Sequence, residues 1–442
     1  MTGVQTCALP IYEMGNFKEA VESLMKAADM NTGDYEFTAS CFFTLGIVQS
    51  KIGENEGALV SVQIAANMRS NLLQELENKA CSYSNLGALQ YKVGDRKKSL
   101  ELGTADSYQI LGELQQVTGD HKRASESLQK AADIRTNLLG DHKDTARSYF
   151  FLGVVQRNLG DSQRAMETLK KAADLQSVLG GDHIEAADCF FTLGLLQRNM
   201  GDHKGALESL QKATDINSNQ RDVREITARC FYVLGLVQHE INDNKRAVES
   251  LQKAANMSLN VLGEDENTAE RYHKLGEVQH ITGDHERASE SLQKAADIRT
   301  NLLGDHKDTA DSYFILGVVQ RQLGDSQRAM ETLKKAADIQ STLGGDQIKT
   351  AGCFFTLGSL QHDMGDHKGA LESLQKAADI NLNLRGVHEI TARCFYVLGL
   401  VQHDINDNKR AVESLQKAAN MQLNVLGEDK NTAASYHKLG EV

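Results

Sequence analysis

The chain has 442 residues, with 48 Lys and Arg against 60 Asp and Glu, a formal charge of −12 and a pI near 5.6. That balance argues against bulk attraction to nucleic acid or acidic lipid, both of which call for a basic surface. No run of 18 apolar residues and no basic-then-apolar leader is present, so neither a membrane span nor a secretion signal is expected.

In chain order, residues 1–11, MTGVQTCALPI, stand apart from everything that follows and hold the only proline. They resemble the translated read-through of a sequencing adapter fused to a partial transcript, and are expected to be an artefact outside the native chain. Residues 12–38 read as a partial repeat, the end of one helix followed by a complete second helix. A full unit fills 39–79. The unit at 80–104 is shortened, because Gly87 to Gly112 spans 25 residues where the other units take 41. The deficit implies a kink or groove, or a longer helix through Arg96–Val117, or an error of assembly. Eight regular repeats occupy 105–432, and a ninth at 433–442 breaks off inside its first helix, which reads as a truncation.

The register mark is a Leu-Gly pair. Its glycine falls at Gly112, Gly153, Gly194, Gly235, Gly276, Gly317, Gly358, Gly399 and Gly440, every 41 residues. A fixed period of this size signals stacked supersecondary units. Within one unit, Tyr149, Leu152, Gly153 and Gln156 share a face of a first helix expected over Ala146–Leu159. Gly160 supplies a left-handed stop and Asp161 a cap. Ala165, Leu169, Ala172 and Ala173 then form the apolar stripe of a second helix. Leu139-Gly140 ends that helix, and Asp144 or Thr145 is expected to cap the next. One hairpin cannot bury such a face alone, so the fold expected is all-α: an α-α superhelix, a solenoid of helical hairpins. A longer period overlies the short one. Gly119–Tyr149 returns 164 residues later as Gly283–Tyr313 with two changes, so blocks of four units have been copied.

Tyr149, Leu152, Gly153, Gly160, Ala165, Leu169 and Ala172 carry a resemblance to the tetratricopeptide repeat (TPR), and the LLGDHKDTA tail resembles the extended repeats of kinesin light chain and nephrocystin-3. The departures are specific. The proline that ends the family's second helix is missing, its HP dipeptide reads His142-Lys143, its first-helix tyrosine is Gln156, and its peptide-gripping asparagines are Phe150 and Phe151. The resemblance implies a cytoplasmic scaffold or adaptor that binds protein segments in a concave groove.

Seven cysteines show no close pairs or metal spacings. Cys41, Cys189, Cys230, Cys353 and Cys394 share one helix position in different units, which suits a small packing residue in a reducing compartment. No phosphate loop, zinc-protease or nucleophile-elbow motif occurs, so no enzyme and no cofactor are expected. His121, His203, His285 and His367 lie in Gly-Asp-His turns without a second ligand on the same helix, and are read as turn residues, not metal ligands. One pattern exceeds packing. An aromatic residue is followed seven positions later by Arg or His at Phe150/Arg157, Phe191/Arg198, Tyr232/His239, Phe314/Arg321, Phe355/His362 and Tyr396/His403. Two helical turns put each pair on one face. These twelve residues are the expected partner-binding groove, suited to acidic and apolar protein segments, with repeat-to-repeat packing as the competing role. His273 and His280 replace the pair in the unit at Ala269 and are expected to titrate near neutrality. A sensor arm of a larger enzyme or nucleotide switch is the alternative function; a purely structural array is the third.

Overall fold

The computed structural model describes residues 17–442 except 31–33, 83–86, 180–182, 217–220, 345, 383, 385–387 and 427–429; it leaves out the side chains of 17, 75–82, 87–97, 183, 388, 425–426 and 430 as well. The adapter-like segment lies outside the described residues. Among those described, every regular element is an α-helix. The chain divides into two compact units, Met1–Cys230 and Phe231–Val442.

Both units are built from one hairpin, seen clearly in Lys143–Asn158 and Ser162–Leu179. The turn between them follows from two residues. Gly160 has φ 83°, which an L side chain resists, and the Asp161 carboxylate accepts the Arg164 N–H at 3.3 Å. The helices then close on the Leu-Gly contact. A Cβ at Gly153 would lie 2.6 Å from Leu169 Cγ and 2.9 Å from its Cδ2, so glycine is what lets the fully buried Leu169 nest against the opposite backbone. The same glycine–leucine contact recurs in the second unit at Gly276/Leu292, Gly317/Leu333, Gly358/Leu374 and Gly399/Leu415.

Two further contacts repeat with the hairpin. A second-helix lysine covers the first-helix aromatic: Lys171 over Tyr149 at 4.1 Å, Lys294 over Tyr272 at 5.2 Å, Lys376 over Phe354 at 5.2 Å. The glutamine in the place of the family tyrosine accepts a buried serine hydroxyl twelve residues on, as in Ser209 to Gln197 at 2.7 Å and Ser291 to Gln279 at 2.8 Å. Where that serine becomes threonine, the amide oxygens of Gln156 and Gln320 are buried without a hydrogen-bond partner.

Neighbouring hairpins are joined by a buried polar pair, thirteen residues apart, between a second helix and the next first helix. Arg135 donates to Ser148 Oγ at 2.7 Å, to the Asp144 carbonyl at 3.2 Å and to Asp106 at 2.6 Å. Arg299 repeats this with Ser312 Oγ at 2.7 Å and the Asp308 carbonyl at 3.0 Å. Between Asn244–Leu262 and Glu266–Ile281 the pair is reversed, with Arg271 donating to Ser258. In other interfaces the long partner is Asn381 against Cys394, 3.8 Å, or Gln422 against Ser435, 2.5 Å. A long polar side chain on one helix thus faces a small one on the other. Cys394 is the small half of one such pair, and Cys41, Cys189, Cys230, Cys353 and Cys394 are all free and buried.

The helix start differs from expectation. Lys143–Asn158 begins three residues before Ala146, and its cap is His142, whose Nδ1 accepts the Asp144 N–H at 3.2 Å. Asp144 and Thr145 therefore sit inside the first turn, Thr145 with a buried and unpartnered hydroxyl. An imidazole nitrogen held at the right distance serves as well as a carboxylate, which is why the Asp-based reading missed it. At the equivalent place Asp265 does cap, accepting the Thr268 N–H at 2.7 Å. Within the shortened unit, the described backbone from Gly87 onward belongs to one helix, Gly87–Val117.

Candidate partner-binding face

The six aromatic residues lie on first helices, half-buried at Phe150, Tyr232, Phe314, Phe355 and Tyr396, and buried at Phe191, which is 4% exposed. Their cationic neighbours are not the residues seven positions on. Arg229 stacks on the Phe191 ring at 4.5 Å and Arg393 on Phe355 at 5.3 Å, each from the next first helix, 38 residues further along the chain. Tyr232 carries Arg271 at 5.9 Å and donates its hydroxyl to Glu270 at 2.8 Å. Burial, followed by the bond to Glu270, raises the Tyr232 pKa. Phe150 meets Phe151 edge-on at 5.5 Å, with Arg147 over Phe151 at 5.6 Å. Arg147 also lies between two carboxylates, Glu113 at 3.9 Å and Glu185 at 3.8 Å.

The basic residues of the expected ladder go elsewhere. Arg321 reaches Asp363 at 2.6 Å and His362 reaches Asp404 at 2.7 Å, both 42 residues on. His239 pairs with Asn244 at 2.7 Å and His403 with Asn408 at 3.4 Å, across the hairpin turn. Arg157 and Arg198 are half-buried, and Arg157 lies within electrostatic reach of Asp188. Burial pushes the Asp188 carboxyl up against the opposing pull of Arg229 and Arg157. Stacking contacts cross between first helices, and a single sequence offers no signal for that except the recurrence of Arg at positions 229 and 393.

His273 and His280 are not partners of each other. His273 bonds Ser312 at 3.1 Å and Glu277 at 3.3 Å, whereas His280 faces His285 with their Nδ1 atoms 3.4 Å apart. Burial and then the His285 charge lower the His280 pKa. Burial would raise the Glu277 carboxyl, but hydrogen bonds from His273 and Lys274 outweigh it and hold the group at about 2.

Two clefts open on this face in the second unit. One, of about 510 Å³, lies among the helices Gln347–Asp363, His388–Asp404 and Lys430–Glu441 and is lined by Phe355, Glu389, Arg393, Tyr396, Val397 and Ser435. The other, of about 300 Å³, is lined by Tyr232, Glu270, His273, Lys274, Arg299 and Asp308. Phe355, Tyr396 and Tyr232 from the expected set reach a cleft. Glu389, Arg393 and Glu270 were missed. Among the described residues, burial raises the repeated thiols, Cys394 to about 11 and Cys230 and Cys353 to about 12, which makes them poor nucleophiles.

The turn histidines His121, His203, His285 and His367 each open a second helix beside an aspartate, as expected of turn residues. His367 meets two potential ligands from outside its helix. His362, His367 and Asp404 bring one potential ligand atom each to within 4.8 Å of one another. Among the described residues no helix is long and apolar enough to cross a membrane.

Family models described as tetratricopeptide repeat match residues 103–177, 231–301, 267–342 and 350–424, and a second such model matches 187–220. A model of anaphase-promoting complex subunit 5 matches 9–81 and 313–384. No curated protein matches the chain significantly. Solved structures with a similar fold include the C-terminal part of a TPR repeat-containing protein from Cytophaga hutchinsonii, 12% identical over 63% of this chain and 97% of that one, TM-score 0.48. A kinesin light chain with nearly identical TPR-like repeats from Podosopora anserina is 20% identical over 44% and 95%, TM-score 0.39. YrrB, described as a TPR protein with an unusual peptide-binding site, is 22% identical over 49% and 94%, TM-score 0.37. With its models spanning more than half of the sequence, the chain belongs to the tetratricopeptide repeat family.

Proposed function

We propose that this chain is a non-enzymatic scaffold that binds protein segments across its first helices, with the cleft at Phe355, Arg393 and Tyr396 as the principal contact. The observation that carries the reading is the composition of that cleft. Two half-buried aromatic rings supply apolar area, and an exposed arginine already lies over one of them. Ordering an arginine beforehand removes part of the entropy cost of binding, and aromatic and arginine anchors dominate protein interfaces. The matching segment places an apolar or aromatic side chain between Phe355 and Tyr396 and a carboxylate against Arg393.

The test is capture of partner proteins by the full chain beside Arg393→Glu and Arg229→Glu, both exposed charge reversals that leave the core intact. Phe191→Ala is a poor probe, since truncating a buried phenylalanine costs roughly 3–5 kcal/mol of stability. Partners retained by Arg229→Glu and lost from Arg393→Glu, at equal helicity, place the site at the cleft. Equal capture by the parent and Arg393→Glu refutes it.

A further inference from the structure

The two ligands at the head of one second helix and the tail of its first helix, His367 and His362, meet a carboxylate from the next repeat, Asp404. His362 Nε2 lies 2.7 Å from Asp404 Oδ2, the two imidazole centroids are 6.1 Å apart, and one ligand atom from each residue falls within 4.8 Å of the others. His367 Nδ1 is shut off from water without a hydrogen-bond partner, as is His121 Nδ1 in an equivalent turn, so what sets this turn apart is the approach of His362 and Asp404. We propose that His362, His367 and Asp404 form a binding site for a divalent transition-metal ion of the zinc type.

The chemistry fits that class. Two neutral imidazoles and one carboxylate are borderline ligands that favour zinc, nickel or copper over calcium or magnesium, which take oxygen. Around a zinc ion with bonds of about 2.0–2.1 Å, tetrahedral ligand atoms stand about 3.3 Å apart. Reaching that spacing requires the His362–Asp404 pair to open slightly and His367 to close by no more than about 1.5 Å, within the reach of side-chain rotation. Three protein ligands leave a further position for water or a partner's side chain.

The other repeats provide internal controls. His280 and His285 make the same turn pair, but the residue corresponding to Asp404 is Gln322, so only two ligands assemble. Arg321 reaches the corresponding Asp363 at 2.6 Å, but opposite Ser326, so that grouping is an ion pair and nothing more. The competing account of His362 follows from the latter: it substitutes for arginine in a bridge to the next repeat, and His367 is irrelevant. The two accounts part on His367. A bound ion would tie the hairpin Gln347–Asp363/His367–Leu382 to the helix His388–Asp404, and so stiffen the helices that border the larger cleft.

The experiment is a titration of the metal-free full chain with Zn²⁺ by calorimetry, and with Co²⁺ followed by its visible absorption. Parent, His367→Ala, Asp404→Asn and His285→Ala are compared at equal helicity. The expected result is one ion per chain in the parent and in His285→Ala, with affinity falling at least about tenfold in both His367→Ala and Asp404→Asn. Zinc should also raise the Tm of the parent and of His285→Ala alone, because only a site that binds the folded state stabilises it. Absence of stoichiometric binding to the parent, or equal affinity in His367→Ala, overturns the site. So does a loss in His285→Ala as large as in His367→Ala, which would mark nonspecific capture by surface histidines.

Discussion

The buried pair Arg299–Ser312 can be turned around. In Arg299→Ser, the guanidinium's bonds to Ser312 Oγ and the Asp308 carbonyl disappear, at about 1.5 kcal/mol each for a charged donor. The side chain is 7% exposed, so two buried methylenes, Cγ and Cδ, at about 0.8 kcal/mol each go with it. Partial filling by water or neighbours brings the expected loss to about 3–4 kcal/mol. Ser312→Arg instead forces a second guanidinium into a slot where Ser312 is fully buried, and should cost at least as much through unpaired charge. The double variant Arg299→Ser/Ser312→Arg reproduces the arrangement the chain already uses at Ser258–Arg271, and Glu270, Asp308 and Asp311 nearby favour the relocated charge. It should recover to within about 1 kcal/mol of the parent, a coupling of several kcal/mol between contacting residues. The assay is hydrogen exchange of the helices His285–Leu303 and Lys307–Gln322, since a solenoid opens locally before it unfolds as a whole. A double variant as labile as the sum of the two singles refutes the reasoning.

Asn406 has φ 62° at the turn position where hairpins other than its own and that of Asn242 carry glycine, so Asn406→Gly should gain about 0.5–1 kcal/mol and Gly324→Ala, with φ 80°, should lose about 1 kcal/mol; urea midpoints read both. Gly153→Ala drives a methyl against Leu169 and should cost about 1–3 kcal/mol, with exchange accelerated in that hairpin above all; unchanged protection would show that the helices separate freely. Glu277 has a folded pKa held below its unfolded value, so its contribution is complete above about pH 4.5 and disappears as the pH falls towards 2. Glu277→Gln should therefore lower stability by about 1–2 kcal/mol at pH 7, after allowance for its partial exposure, and by little at pH 2; a pH-independent difference would refute the pairing with His273 and Lys274.

The hairpin was legible because its determinants are local and periodic. A glycine every 41 residues, an alanine stripe and a Gly-Asp turn each act within one unit, and each appears in the structure doing what its chemistry implies. What stayed hidden depends on neighbours distant in sequence. Cys394 looks like plain packing until Asn381, thirteen residues upstream, is seen against it across an interface. That partner varies from unit to unit, so no periodicity announces it. The aromatic residues could be put on one face, but their cations arrive from 38 residues away. His367 could be excluded as a ligand along its own helix, while His362 and Asp404 come from two other helices. Even the His142 cap was obscured because imidazole is a rare substitute for aspartate.

The changing polar pairs also bear on how such a chain avoids folding errors. Copies of nearly identical hairpins invite docking on the wrong neighbour, the characteristic failure of repeat proteins. A hairpin bearing Arg299 that slipped one unit onward would bury its guanidinium against Cys353 in place of Ser312, stranding a charge at several kcal/mol. Slippage by four units, from the Arg299/Ser312 arrangement onto that of Arg135/Ser148, would meet no such barrier, because the pair is the same. Misassembled or domain-swapped species of this protein should therefore be offset by blocks of four hairpins, a spacing set by the length of the duplicated segment.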